Sequence, residues 1–203
     1  ARANGVLPYG DDFVKCSGEN QLRLYKEELE ANFRTPELQG FEMLDLHDYL
    51  GQGTALVGIL DAFWENKGYG NPEEFRNHCQ DTVLLARCGR YVWKSTECAK
   101  IPVEVCHYGK ENIISGIVRW NLSCKKELVD SGTIAVNEIL KGGNTDVGVI
   151  TLCFEEITQR IIRGKKETVS ENAELLLTLE LSWKTEAGRE EAVNNSWKLY
   201  VFT

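Results

Sequence analysis

Five polar side chains, Asp45, His47, Asp48, Tyr49 and Gln52, lie at the end of the short apolar run Phe41 to Leu46 in the stretch GFEMLDLHDYLGQGTALVGILDAFW, residues 40–64. Carboxylates and a carboxamide accept and bridge hydrogen bonds, imidazole does either according to its tautomer, and a phenol ring offers a stacking face. Together they suit the hydroxyls and ring of a sugar. In barrels of parallel strands the active site forms where the C-terminal strand ends meet, so polar residues directly after an apolar strand are substrate-binding candidates. The plainer reading is that Asp45 and Asp48 cap loop amides and His47 satisfies one of them. For any one residue the plainer reading is favoured; for the five as a unit the two readings balance.

Other templates for chemistry fit less well. GQGTALVG has Leu56 where a dinucleotide fingerprint needs its third glycine, and no Gly-Lys-Ser/Thr follows as a phosphate loop requires. Gly51 and Gly53 serve a sharp turn, after which Ala55 to Leu60 is expected to pack inward. No GxSxG nucleophile elbow is present. Cys106-His107 and His78-Cys79 are sequence neighbours, which on a strand point to opposite faces, so neither reads as a nucleophile and base. The seven cysteines contain no CxxC pair, which gives no zinc-ligand spacing, and no metal ligand or cofactor is expected. Cys98 and Cys106 are placed to face each other across a hairpin, but the odd count argues against a bridge.

The bulk properties narrow the partners. A net charge of −8 and a pI near 5.1 argue against nucleic acid, which needs clustered Lys and Arg. Lys125-Lys126 and Lys165-Lys166 are flanked by Glu and read as solvated turns. No stretch reaches the roughly 18 apolar residues of a membrane helix. Asn121 to Ser123 and Asn194 to Ser196 match the glycosylation pattern, which matters only in a eukaryotic secretory pathway.

Two periodicities position these groups. In residues 1–80 the signals are helical. Ser17 is an N-cap candidate for a helix with Leu22, Tyr25, Leu29 and Phe33 on one face, ended by Thr35-Pro36. Phe41 to Leu46 reads as a short strand, and Asn71-Pro72-Glu73-Glu74 opens a second helix with proline in its first turn and acids at its positive end. From Thr82 onward the period falls toward two, with strand candidates VLLAR, RYVWK, IPVEVCHY, GIVRWNLS, TIAVNEI, VGVITLCF, AELLLTLELSW and SWKLYVF. Seven or eight strands in residues 81–203 predict an immunoglobulin-like antiparallel β-sandwich. Alternation places Leu175, Leu177, Leu179 and Leu181 on one face, with Trp120, Trp183 and Trp197 as core anchors.

The segment KEELEANFRTPELQGFEMLDLHDYLGQGTALVGILDAFWENKGY with the following PEEFR resembles the end of the catalytic barrel in bacterial proteins of glycoside hydrolase family 2, the β-galactosidase and β-glucuronidase relatives. The closing AELLLTLELSW and NNSWKLYVF resemble the last strands of an accessory sandwich in such proteins. The likeness is close over residues 20 to 95 and loose elsewhere. It implies an α+β chain, with residues 1–80 the α/β remnant of a TIM-like barrel and residues 81–203 the sandwich. It also implies retaining hydrolysis by two glutamates at the ends of the fourth and seventh barrel strands. Phe41 to Leu46 matches the eighth strand, so both glutamates are expected upstream of Ala1, and Glu27, Glu28 and Glu30, on the helix, take no catalytic role. A barrel needs about 250 residues. The expectation is therefore the C-terminal part of a carbohydrate-active enzyme, inactive alone, with the compartment set by upstream residues. Residues 20 to 65 should then carry apolar surface and favour a homodimer. The alternatives are a non-catalytic carbohydrate-binding sandwich and a structural module.

Overall fold

The computed structural model describes residues 2–38, 40–51, 56–165 and 172–202. It is mixed α+β with sheet dominant, and it divides into two compact units, Ala1–Cys79 and Gln80–Thr203.

The first unit is built on helix α1 (Gly10–Phe33). Ser17 lies inside this helix, which starts seven residues earlier after the single turn Leu7–Tyr9 and carries Asp11 and Asp12 in its first turn. Those two acids at the positive helix end supply the start signal that a hydroxyl cap was expected to give. The end falls where Thr35-Pro36 places it, with Arg34 as C-cap. Leu29 is buried and Leu22, Tyr25 and Phe33 half-buried, so the expected face is the packed one. Gly18 lets the Tyr69 ring lie against the helix: a Cβ there would stand 2.3 Å from the ring carbons. Glu30, fully buried, is neutralised by Lys26 and by Arg34 at 3.2 Å, so it is a structural charge. Helix α2 (Pro72–Asn77) opens as read, the Asn71 side chain accepting from the amides of Glu73 at 2.7 Å and Glu74 at 3.1 Å.

Phe41 to Leu46 forms no strand. Its apolar composition suits a buried strand, but it has no ladder partner, and Phe41, Leu44 and Leu46 stay exposed. Leu56 and Val57, expected to pack inward, are exposed as well; Gly53, Thr54 and Ala55 lie outside the described residues.

The second unit holds all eight expected strands: β1 (Thr82–Ala86), β2 (Val92–Lys94), β3 (Cys98–His107), β4 (Ile113–Cys124), β5 (Glu127–Ile139), β6 (Gly143–Cys153), β7 (Asn172–Lys184) and β8 (Glu190–Phe202). They make a three-stranded sheet, β1-β3-β6, and a five-stranded sheet, β2-β8-β7-β4-β5. This is the two-sheet connectivity of an immunoglobulin-like sandwich. The pairing is antiparallel except that β2 runs parallel to β8. The chain reaches β2 from the other sheet and enters it alongside the last strand rather than by a hairpin.

Leu175, Leu177, Leu179 and Leu181 are buried, as the period of two requires, in one core with Leu84, Ile101, Val103, Val118, Leu122 and Leu199 from both sheets. Trp183 and Trp197 join that core; Trp120, expected there too, is half-buried at its margin beside Gly132, where a Cβ would stand 2.7 Å from the indole nitrogen. Asn195 on β8 sends its side-chain amide to the Leu84 carbonyl on β1 at 2.8 Å, joining the sheets where β1 has no ladder neighbour. Helix α3 (Phe154–Lys165) between β6 and β7 was not anticipated. Its seed, FEEITQRII, follows VGVITLC without a break, and the strand reading absorbed Phe154. Phe154, Ile157 and Ile161 form its buried stripe at spacings of three and four. Lys166 lies outside the described residues; Lys125 and Lys126 make the left-handed turn between β4 and β5.

Candidate functional site

The loop after Leu46 is organised by backbone bonds between two short segments. Asp48 N donates to Leu60 O at 3.0 Å and Leu60 N to Leu46 O at 3.1 Å, a parallel bridge between His47 and Leu60. Gly58 makes this approach possible: a Cβ there would stand 2.3 Å from the His47 carbonyl carbon and 2.5 Å from the Asp48 nitrogen. From α1, the Gln21 carboxamide donates to Val57 O.

Asp48 is the buried centre of the loop. Its Oδ1 accepts from Lys67 Nζ at 2.6 Å and from Gly58 N at 3.0 Å, while the same ammonium also donates to Gly58 O at 2.9 Å. The Lys67 hydrogen bond, helped by the Gly58 amide and opposed by desolvation, holds the Asp48 carboxyl below its ordinary range. It is an ionised group whose Oδ1 is spent on bonds inside the protein.

His47 is half-buried. Its Nδ1 donates to Asp48 O at 2.7 Å, which leaves Nε2 of the neutral ring as an acceptor. The Trp64 ring lies against it, with centroids 4.4 Å apart and planes tilted by 39°. Trp64 itself has a positive φ of 67° within a turn closed by Asp61, whose Oδ1 accepts from Phe63 N at 2.8 Å and Glu65 N at 2.9 Å. Asp45 is half-buried with φ 59°, a conformation that Asp tolerates better than most residues. Tyr49 is exposed and turns its ring over Gly51, where a Cβ would stand 2.2 Å from the phenol oxygen. Gln52 lies outside the described residues.

Of the five predicted residues, then, His47 and Asp48 are joined directly, Asp45 and Tyr49 flank them, and Asp48 holds the loop through its Oδ1. Sequence reasoning missed Lys67, Gly58, Asp61 and Trp64. A lysine 19 residues from an aspartate carries no spacing signal; the turn residues of LDAFWENKG did offer one, since an aspartate two residues before an amide commonly caps it.

The two rejected cysteine-histidine pairs are quiescent. Burial, with Glu104 adding to it, pushes the Cys106 thiol up to about 11. His107 donates from Nε2 to Glu111 O at 2.8 Å, and its Nδ1 meets the Thr82 hydroxyl at 2.8 Å. Burial also raises the Cys79 thiol and lowers the His78 imidazole to about 4. Among the described residues no group of three or more His, Cys, Asp or Glu is placed to hold a metal ion, and no helix is long and apolar enough to cross a membrane.

A family model described as a domain of unknown function, DUF8488, matches residues 97–161, which run from just before β3 into α3 and make up well under half of the chain. No curated protein matches the sequence. The solved structures that resemble it do so distantly. A protein of Arabidopsis thaliana is 16% identical with a TM-score of 0.37, over 53% of this chain and 72% of that one. The CARDB domain of a Pyrococcus furiosus protein, solved in complex with di-metal ions, is 12% identical with a TM-score of 0.32, over 59% of this chain and 89% of that one. Murine CRIg is 14% identical with a TM-score of 0.32, over 61% of this chain and all of that one.

Proposed function

We propose that this chain is the C-terminal part of a retaining glycoside hydrolase resembling family 2, with no turnover by itself, and that its loop after Leu46 borders the sugar site. The observation that carries the reading is the segment Phe41 to Leu46, which has strand composition and no ladder and whose Leu44 is 77% exposed, together with Phe63 at 82% and Trp64 at 60% exposure. Large apolar side chains left this open on a small unit call for a covering partner. In this reading the partner is the rest of a barrel, with which Phe41 to Leu46, not a strand here, would pair.

The loop divides the work. Asp48, locked by Lys67 and Gly58, positions His47, and Trp64 orients the imidazole. His47 Nε2, Asp45, Tyr49 and Gln52 are then the groups that meet carbohydrate hydroxyls. Catalysis would come from two glutamates outside this chain, about 5 to 5.5 Å apart, as retention requires.

The carbohydrate-binding sandwich is less well supported. Trp183 and Trp197 are buried, and Trp93 is half-buried between Phe154, at 5.4 Å, and the Arg90 guanidinium, 4.0 Å from its ring. Of the four tryptophans this alternative could use, two are therefore in the core, and Trp93 and Trp120 are half-buried.

The test is to recover the protein from its natural host with an antibody against residues 20–65 and measure its intact mass and its hydrolysis of aryl β-glycosides. The expected result is a species several times 23.0 kDa that hydrolyses them, while the 23.0 kDa polypeptide does not. A native mass near 23.0 kDa, or turnover by the short chain alone, would overturn the proposal.

A further inference from the structure

Four cysteines lie in the strands of the sandwich, and two of them face each other. In the β3–β6 ladder Cys98 is the register partner of Cys153. Neither Cys106 nor Cys124 meets a cysteine in any ladder, and both are buried. The expectation that Cys98 would face Cys106 across a hairpin fails for a simple reason: both are on the single strand β3, with no hairpin between them.

The position in the ladder favours a bond. Phe154 N donates to Glu97 O at 3.0 Å, which makes Glu97 and Phe154 a hydrogen-bonded pair. The next pair inward, Cys98 and Cys153, is therefore a non-hydrogen-bonded one, the kind in which Cα atoms approach to about 4.5 Å and side chains lie closest. That separation falls inside the range of about 4.4 to 6.8 Å that a disulfide spans. The Cys98 side chain lies near enough to Cys153 to be the main cause that raises the Cys153 thiol above its ordinary range. Cys98 is exposed and Cys153 half-buried, so a reagent in solvent meets Cys98 first.

We infer that Cys98 and Cys153 form a reversible disulfide that clamps the last rung of the β3–β6 ladder at the entry to α3. The co-reactant is a small-molecule disulfide of the oxidised-glutathione class. The Cys98 thiolate attacks one of its sulfurs, a protein–glutathione disulfide forms, and the first glutathione leaves as a thiol. Cys153, losing its proton, then attacks the Cys98 sulfur and displaces the second glutathione. Two protein thiols are oxidised, one external disulfide is reduced to two thiols, and the two protons go to the leaving thiolates. In the reduced chain the Cys98 thiol, burial and Glu156 raise the Cys153 thiol above its ordinary range, so Cys153 is not the first nucleophile. α3 starts at Phe154, directly after Cys153, so closing the bond ties the first turn of this helix covalently to β3.

The experiment equilibrates the full chain in mixtures of reduced and oxidised glutathione, alkylates the remaining thiols, and maps peptides by mass spectrometry. The expected product is one Cys98–Cys153 linked peptide pair with a mass lower by about 2 Da, the two hydrogens lost on oxidation. It should disappear on adding dithiothreitol and be absent from Cys98→Ser and Cys153→Ser. Cys98→Ser changes an exposed side chain and should fold like the parent, which circular dichroism checks. Amide exchange in the first turn of α3 should slow severalfold on oxidation and return on reduction. A stable glutathione adduct on Cys98 with Cys153 still free, scrambled pairing with other cysteines, or no linked pair at any ratio would overturn the inference.

Discussion

Lys67 reaches across 19 residues of chain to place its ammonium 2.6 Å from Asp48 Oδ1 and 2.9 Å from Gly58 O. One cation thus joins the two segments of the loop, and the acid it neutralises is the one that also receives the Gly58 amide. Removing one partner of such a pair leaves a buried group unsatisfied, while removing both charges together does not. Lys67→Met should therefore destabilise the first unit more than the double substitution K67M/D48N does. Thermal unfolding of the four proteins of that cycle measures the coupling, and faster hydrogen exchange at the Gly58 amide in Asp48→Ala reports the lost acceptor directly. Equal melting temperatures for Lys67→Met and the parent would refute the assignment of Asp48 to loop structure. The same pair sets an acid limit. The folded carboxyl titrates below its unfolded value near 3.8. Its contribution is present above that pH and is lost as pH falls through the lower folded value.

His78 supplies a second pH dependence with a different window. Its Nε2 is buried without a hydrogen-bond partner, and burial pushes the imidazole from 6.5 to about 4, Lys26 adding to the effect and Glu30 opposing it. The unfolded chain therefore takes up a proton that the folded one refuses. Stability from the neutral ring is complete above about pH 6.5. It is lost progressively as pH falls toward about 4 and changes no further below that. Melting curves between pH 7 and 4.5 should fall for the parent and be flatter for His78→Phe, which keeps a ring beside Phe75 at 5.0 Å. An NMR titration giving His78 a pKa near 6.5 would remove the basis of this prediction.

The sandwich was readable because β7 alternates without a defect. Leu177 is fully buried opposite Leu122 and Trp197, whereas Leu176, one residue away, points outward. Leu177→Ala should cost about 2 to 5 kcal/mol of unfolding free energy. Leu176→Ala should stay within about 0.5 kcal/mol, as most surface changes do. Urea titration of the two variants decides it; similar losses at both positions would contradict the assigned register.

Asn195 tests what alternation cannot reveal. It is a buried polar residue on an otherwise apolar inner face, and its carboxamide bonds the Leu84 carbonyl of the opposite sheet. Asn195→Ala strands a buried carbonyl and should cost about 1 to 3 kcal/mol. Asn195→Asp, which offers that carbonyl no amide donor and brings a charge inside, should cost at least as much. A neutral Asn195→Ala in chemical denaturation would show that water replaces the amide.

The two halves differed in legibility for physical reasons. Strand alternation in residues 172–202 is a local pattern, and the helix opening at Asn71-Pro72 is local capping chemistry; both survive reading one residue at a time. α3 was hidden because its buried stripe, Phe154, Ile157 and Ile161, begins on the last residue of an apolar strand pattern. The Asp48–Lys67 bond and the Cys98–Cys153 register are set by how distant segments meet, which no spacing encodes. Phe41 to Leu46 failed in the opposite way: its composition promises a strand, but a strand exists only with a neighbour to bond.

That unpaired segment yields the last prediction. Leu44 and Phe63 are among the most exposed large apolar side chains of the first unit, at 77% and 82%. Isolated residues 1–203 should therefore self-associate in a concentration-dependent way, since apolar surface left in water is the general driving force for association. Sedimentation velocity at micromolar protein should give a weight-average mass above 23.0 kDa. The double substitution L44K/F63K should return it to the monomer, because both side chains point to solvent and a charge there costs folding little while opposing burial against a second copy. Circular dichroism would confirm that the variant keeps its sheet. If the parent sediments as a monomer at every concentration, the exposed band is too weak to draw a partner by itself. Its covering would then depend on complementary strands of the kind that the glycosidase reading places upstream.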